Sequence, residues 1–168
     1  MRARVADPLA ASGPSEPQPI PAPRRSIRGR WLGDYRVEIV ARDGRFTWMS
    51  DEQVADGGDD SGPMPSELLF SSVVACFAMA VAWAARKRHQ ELPDLEVSVH
   101  ASYDRAARRY DHLEIEAAST FARADPEGFG ALLHLAEQVC WITRTIVPGI
   151  PIEVRAAAPA ESQQAGEP

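Results

Sequence analysis

The chain has 168 residues, of which 45% are hydrophobic and 25% are charged, as expected for one soluble domain. Its net charge of −6 disfavours nucleic acid as a partner. The N-terminus lacks the apolar segment of a signal peptide, which favours a cytoplasmic location. Residues 1–26 and 156–168 are rich in proline, alanine or polar residues, so we expect disordered tails around a domain at residues 27–155.

The first predicted elements are two strands joined by a tight turn. Apolar and charged side chains alternate from Trp31 to Ala41, which predicts one strand with a single buried face. The sequence Arg42-Asp43-Gly44-Arg45 contains an Asp-Gly pair, a strong signal for a hairpin turn. A second strand follows at Phe46 and Trp48, and the polar, glycine-rich residues 50–62 predict a loop.

The longest apolar stretch predicts a central helix between Gly62 and Arg88. Pro65 and Glu67 suit the first turn of a helix, and Arg86-Lys87-Arg88 suits the last. The eighteen residues 68–85 carry no charge, so we expect the helix to be buried on all sides. A stretch of this length could also span a membrane, but its many alanines favour the core of a soluble protein.

Three strands and a second helix complete the predicted domain. Alternating patterns predict strands at 95–100, 113–117 and 150–155. Asp125-Pro126-Glu127 is typical of a helix start, and this helix extends to Cys140. The order β-β-α-β-β-α-β predicts an α+β fold with antiparallel hairpins around two central helices. One small set of strands covers such an apolar helix poorly, so we expect an intertwined homodimer.

The two cysteines are the candidate reactive residues. Cys76 lies in the middle of the central helix, and Cys140 follows 64 positions later, at the end of the second helix. Free cysteines are often buried as small hydrophobic residues, so their positions alone leave open whether they react. The cysteines and the four histidines show no zinc-ligand spacing, and we expect no metal and no bound cofactor.

Two motifs resemble those of a known family. The segment GPMPSELLFSSVVACF contains Cys76, and LLHLAEQVCWITRTIVPGIPIEV contains Cys140. Together they are similar to the OsmC/Ohr family of osmotically inducible and organic hydroperoxide resistance proteins, over about residues 31–155. The resemblance implies the OsmC-like fold and a thiol peroxidase activity. It also implies that Cys76 attacks the peroxide and that Cys140 resolves the product as a disulfide, which an external dithiol then reduces.

The resemblance also implies an arginine and a glutamate that assist the reactive thiol. Arg42 matches the arginine position best, with Arg45 as the second choice. The glutamate position is occupied by Ser66, whereas the neighbouring Glu67 would lie on the opposite face of the helix from Cys76 and about 13 Å along it. Glu67 could therefore meet an arginine of a partner chain or stabilise only the helix dipole.

A cation near Cys76 is also a physical requirement for the predicted activity. A free thiol is only slightly ionised at neutral pH, and burial raises its pKa further. The middle of a helix is too distant from the N-terminus for the dipole to compensate. We expect the substrate pocket to be apolar and to favour organic hydroperoxides over hydrogen peroxide; its predicted lining residues are Phe70, Phe77, Met79 and Trp141.

The sequence thus predicts a cytoplasmic homodimer that reduces small hydroperoxides, with no nucleic-acid or membrane partner. Two alternatives stay open. The first is a non-catalytic protein of the same fold that binds a small ligand in an apolar pocket at the dimer interface, as the substitution at Ser66 would allow. The second is a structural dimer with inert thiols.

Overall fold

The computed structural model describes residues 25–156. The tails predicted at residues 1–26 and 156–168 lie outside the described residues, apart from Arg25, Ser26 and Ala156. In chain order the elements are β1 (Ile27–Gly33), β2 (Arg36–Ala41), β3 (Phe46–Ser50), α1 (Pro65–Lys87), β4 (Glu96–Asp104), β5 (Arg109–Ala118), α2 (Phe121–Ala124), α3 (Pro126–Val139), α4 (Trp141–Ile146) and β6 (Ile152–Ala156).

The strands form two three-stranded sheets, and the helices pack mainly against the second. The N-terminal sheet has the order β1-β2-β3, and the C-terminal sheet has the order β4-β5-β6. All neighbouring strands are antiparallel except β5 and β6, which are parallel. The predicted α+β class with antiparallel hairpins is confirmed, and the parallel pairing of the last strand is an addition to it.

The N-terminal sheet has one strand more than the alternating pattern predicts. That pattern predicts a single strand from Trp31 to Ala41, whereas the chain turns back at Asp34 and Tyr35. Both turn residues have positive φ angles, 47° and 65°, and follow Gly33 at φ 98°. The prediction of one strand was wrong because the alternation of apolar residues continues on both sides of the turn. This alternation concealed Gly33-Asp34, a pair that is typical of turns.

The strand register gives the N-terminal sheet one apolar face. Ile27 pairs with Ala41, Trp31 with Val37, and Ile39 with Trp48, so side chains of the same kind point to the same side. Much of this face is open to solvent in the single chain: Trp31 is 64% exposed, and Ile27 and Phe46 are also exposed. We define the apolar sheet face as Ile27, Trp31, Val37, Ile39, Phe46 and Trp48.

Helix α1 is the central helix, but the single chain buries only one side of it. Its N-terminus is closed by Glu67, whose Oε2 accepts a 2.8 Å hydrogen bond from the backbone N–H of Met64. The core side includes Val73, Phe77 and Val81, which are fully buried. Met79 and Trp83 are exposed on another side of the helix, and Leu69 is exposed near its N-terminus. The expected burial on all sides is therefore not reached within one chain.

The same helix is, within residues 25–156, the one helix long and apolar enough to cross a membrane. It packs against α3, α4 and β4. These contacts are those of a core helix in a globular domain, which can be as long and as apolar as a membrane span.

Helix α3 packs against α1 and brings the two cysteines together. It begins at Pro126 after Asp125, whose Oδ1 accepts a 2.8 Å hydrogen bond from the N–H of Gly128, and this confirms the predicted cap. Its core side carries the buried residues Phe129, Leu132 and Ala136. The helix ends at Val139, Cys140 has an extended backbone, and α4 starts at once.

Candidate active site

Cys76 and Cys140 line the same open pocket. The pocket has a volume of about 420 Å³ and lies where the middle of α1 meets the junction of α3 and α4. Cys76 is half-buried, Cys140 is only 1% exposed, and both thiols are free. The lining residues are Cys76, Met79, Ala80, Trp83, Val139, Cys140 and Trp141.

Helical spacing explains why these residues of α1 line the pocket. Met79, Ala80 and Trp83 are three, four and seven positions after Cys76, and such residues share one face of a helix. On the other side of the pocket, the extended backbone of Cys140 ends α3 and begins α4. The break turns the Cys140 side chain and the next two backbone N–H groups toward Cys76.

The local surroundings favour the neutral thiol of Cys76. Burial is the largest cause, and it raises the pKa of Cys76 because the thiolate loses solvation. The backbone N–H groups of Ile142 and Trp141 partly lower this pKa by hydrogen bonding, whereas the adjacent thiol of Cys140 raises it. None of these groups is a cation. The net pKa of Cys76 lies above its ordinary value, so the single chain holds it protonated at neutral pH.

The single chain leaves the predicted arginine exposed on a turn. Arg42 lies between β2 and β3 with φ 50°, and its guanidinium is 5.5 Å from the centre of the Phe46 ring. Arg45, the second choice, lies at the same distance from that ring. Both cations are therefore held at the edge of the apolar sheet face, and neither is among the groups that shift the pKa of Cys76.

Glu67 forms the helix cap described above, in the first turn of α1. It is nine residues before Cys76 in the same helix, as the sequence predicted, and it does not line the pocket. Its contact within the chain is thus with the helix N-terminus. A catalytic role for Glu67 or Arg42 stays a prediction.

Two of the four predicted substrate-binding residues line the pocket, Met79 and Trp141. Phe77 is fully buried in the core, because one step along a helix turns the side chain by about 100° from Cys76. Phe70 makes an edge-to-face contact with Tyr110, with ring centres 4.8 Å apart, and does not line the pocket.

Trp83 lines the pocket, although it was not among the predicted lining residues. Its position seven residues after Cys76, about two helical turns, is the signal that could have identified it. Phe77 was predicted instead because it directly follows Cys76 in the sequence. In a wholly apolar helix, no polar residues mark the side that faces a pocket.

Among residues 25–156, no group of three or more His, Cys, Asp and Glu side chains is placed to hold a metal ion. The reactive side chains that line the pocket are the two thiols. The two thiols belong to one chain and lie next to each other.

A sequence model of the OsmC-like protein family matches residues 58–155, more than half of the chain. The chain belongs to the OsmC-like protein family. The match contains both cysteines, and it confirms the resemblance drawn from the two motifs. Comparison of this OsmC-like protein with curated protein sequences gives no match.

Solved structures share the fold at low sequence identity. An OsmC-like protein of unknown function from Vibrio cholerae is 9% identical, with a TM-score of 0.69 over 81% of this chain and 100% of that one. The organic hydroperoxide resistance protein OsmC from Legionella pneumophila is 17% identical, with a TM-score of 0.68 over 82% and 99%. The organic hydroperoxide resistance protein OhrB of Bacillus subtilis is 17% identical, with a TM-score of 0.62 over 80% and 98%. These similarities establish the fold.

Proposed function

We propose that this OsmC-like protein is a cytoplasmic, homodimeric thiol peroxidase that reduces organic hydroperoxides. The observation that carries the proposal is the juxtaposition of Cys76 and Cys140, which are 64 positions apart in sequence, in one open apolar pocket. Two of the similar structures are named for organic hydroperoxide resistance, which supports this choice of substrate.

The proposed reaction uses both thiols and an external reductant. The Cys76 thiolate attacks one peroxide oxygen, so that an S–O bond forms, the O–O bond breaks and the leaving alkoxide takes a proton to become an alcohol. The thiol of Cys140 then displaces water from the Cys76 sulfenic acid, and a disulfide forms. A dithiol reduces this disulfide by exchange and becomes oxidised itself.

A second copy of the chain would supply the activation that one copy lacks. The pKa of Cys76 is raised in the single chain, so turnover requires a cation that stabilises the thiolate. The apolar sheet face and the exposed side of α1 are both uncovered apolar surfaces, and two copies could cover them reciprocally. Because Arg42 and Arg45 lie at the edge of that sheet face, this packing would bring a guanidinium toward the pocket.

The pocket lining supports the proposed preference for organic substrates. Met79, Trp83 and Trp141 offer apolar surface to an alkyl or aryl group, which hydrogen peroxide lacks. We expect cumene hydroperoxide to be consumed with a higher kcat/KM than hydrogen peroxide. Equal values for the two peroxides would contradict the preference and leave the thiol mechanism intact.

Peroxide consumption with a dithiol reductant tests the mechanism. We expect Cys76→Ser to abolish turnover, because the attacking sulfur is lost. Cys140→Ser should still react once and then accumulate a sulfenic acid that dimedone labels at Cys76. Turnover by Cys76→Ser at the native rate would contradict the proposal. Valine substitution of the distant, exposed Ala107 provides a control that should keep the native rate.

A binding protein of the same fold is the second candidate function. The raised pKa of Cys76 and the presence of Ser66 at the family's glutamate position favour it, because both weaken the case for an activated thiol. In that case the reduced native chain would consume no hydroperoxide. An apolar ligand would instead quench the tryptophan emission of the native chain, and Trp83→Leu would weaken this binding.

A further inference from the structure

Three sulfur atoms border the pocket, and the proposed peroxidase reaction uses two of them. The third belongs to Met79, which is 66% exposed and lies one helical turn after Cys76. Cys140 faces them from the junction of α3 and α4. The pocket thus combines two thiols and a thioether from separate parts of the chain.

Cys76 and Met79 line, from one face of α1, the same pocket that Cys140 borders. Residues three positions apart on a helix have Cβ atoms about 5–6 Å apart, so Met79 is within reach of the space in front of Cys76. Methionine is unbranched and adaptable, so the Met79 side chain can change rotamer to reach a bound ion. Cys140 is fixed by burial, and α1 and α3 pack directly against each other.

We propose that Cys76, Cys140 and Met79 form a binding site for monovalent copper, Cu(I). Thiolate and thioether sulfurs are soft ligands, and this combination selects Cu(I) over hard cations. The seven lining residues include no carboxylate and no imidazole. Zinc sites commonly use four cysteine, histidine or carboxylate ligands, so two thiols leave Zn²⁺ poorly held.

The other lining residues suit a soft cation. Trp83 and Trp141 both border the pocket, and the face of an indole ring attracts cations. The Trp83 ring already lies 5.6 Å from the ammonium nitrogen of Lys87. Trp141, which is 84% exposed, marks the side from which the ion would enter.

Copper binding changes the protonation of the site but not the oxidation state of the metal. Two Cu–S bonds to thiolates form, and the two thiol protons pass to solvent. The thioether of Met79 adds a neutral ligand. Oxidation of the cysteines to a disulfide would remove both thiolates, so we expect only the reduced protein to bind.

A competition titration tests the site in the full chain. Reduced protein is added, without oxygen and without any hydroperoxide, to the coloured complex of Cu(I) with bicinchoninate. We expect one Cu(I) per chain to transfer to the native protein, and none to Cys76→Ser, to Cys140→Ser or to the oxidised native protein. We expect Met79→Leu to weaken Cu(I) binding about tenfold, which equals about 1.4 kcal/mol. Met49→Leu, on the N-terminal sheet, is the matched control and should bind as tightly as the native chain.

Three results would overturn the copper site. They are native affinity in either cysteine variant, native affinity in Met79→Leu, and equal affinity of the native chain for Zn²⁺ in a parallel chelator competition. Circular dichroism establishes that each variant is folded, and the oxidised native protein gives a second test should a cysteine variant fail to fold. The titration contains no peroxide, so its result does not depend on whether the protein is a peroxidase.

Discussion

The N-terminal sheet and the C-terminal part of this OsmC-like protein differ in how completely a single chain covers their apolar residues. In the C-terminal part, the apolar sides of α1, α3 and the β4-β5-β6 sheet meet in one core. In the N-terminal sheet, Trp31, Ile27 and Phe46 stay exposed on one face, and among residues 25–156 this sheet makes sparse contact with the helices.

The same division separates the parts of the proposed catalytic site. The two thiols come from the C-terminal part and are together within one chain. The candidate cation, Arg42, belongs to the N-terminal sheet and is exposed. One chain is therefore enough to bring the two sulfur atoms together, and we propose that their activation depends on what covers the sheet. Four substitutions test this difference between the two parts of the molecule.

The largest effect is expected in the core of the C-terminal part. Phe77 is fully buried, so Phe77→Ala should reduce the free energy of unfolding by about 3–5 kcal/mol. Denaturant titration measures this change, and it should not depend on protein concentration. A loss below about 1 kcal/mol would contradict the assignment of Phe77 to the core.

The second effect is expected in the N-terminal sheet and should depend on concentration. We expect Trp31→Ser to raise the dimer Kd roughly tenfold to thirtyfold, because an apolar contact is lost at the interface. Arg28→Ser is the matched control, since Arg28 pairs with Val40 and lies on the opposite face of the same strand from Trp31. Sedimentation equilibrium measures both variants. Equal dimer Kd values for the two would show that the apolar sheet face is not the interface.

The third effect concerns the activation of Cys76 in the dimer. If Arg42 reaches the thiolate, Arg42→Ala should raise the pKa of Cys76 and slow its alkylation at pH 7 about tenfold. Arg30→Ala is the control, because Arg30 pairs with Glu38 on the other face of the sheet at 3.1 Å. Alkylation rates across pH, followed by peptide mass spectrometry, distinguish Cys76 from Cys140. An unchanged profile in Arg42→Ala would exclude this arginine as the activator.

The smallest effect is a dependence of stability on acid that arises outside the site. Hydrogen bonds from the side chain and backbone of Thr120 to Asp94, both 2.7 Å, hold the pKa of Asp94 below its ordinary value. A carboxyl group with a lowered pKa in the folded state stabilises the protein above its unfolded pKa, near 3.9, and loses this contribution as pH falls through the folded pKa.

Asp94→Asn should therefore flatten the decrease in thermal stability between about pH 5 and pH 2. Thermal unfolding at a series of pH values measures the slope for both proteins. Asp56→Asn, at a position with no hydrogen bond to Thr120, serves as the control. Identical slopes for the native chain and Asp94→Asn would contradict the contribution of this carboxylate.

Much of the C-terminal part could be predicted from the sequence because its signals are local. The charges and prolines at the two ends of the apolar stretch located α1, and Asp125-Pro126 located the start of α3. The cysteine motifs also identified the pair that the fold brings together. By contrast, sequence separation alone carries no information on the distance between Cys76 and Cys140, so only the packing of α1 on α3 established it.

The remaining features depend on long-range contacts, or on which side of a helix or strand faces its neighbours. The sequence shows neither directly. The turn at Asp34 and Tyr35 interrupts a pattern that stays apolar on both sides, and β1 was missed for that reason. The lining of the pocket depends on which side of α1 faces α4, and an apolar helix does not mark that side. The apolar sheet face is left uncovered by one chain, and the sequence does not show what covers it.

The peroxidase proposal is tested by the fate of the two thiols after one equivalent of cumene hydroperoxide. The reaction of the reduced native protein would be quenched within seconds, and the protein would be alkylated and digested for mass spectrometry. We expect a disulfide that joins the peptide with Cys76 to the peptide with Cys140 in the same chain. Two thiols that remain open to alkylation while the hydroperoxide persists would overturn the proposal.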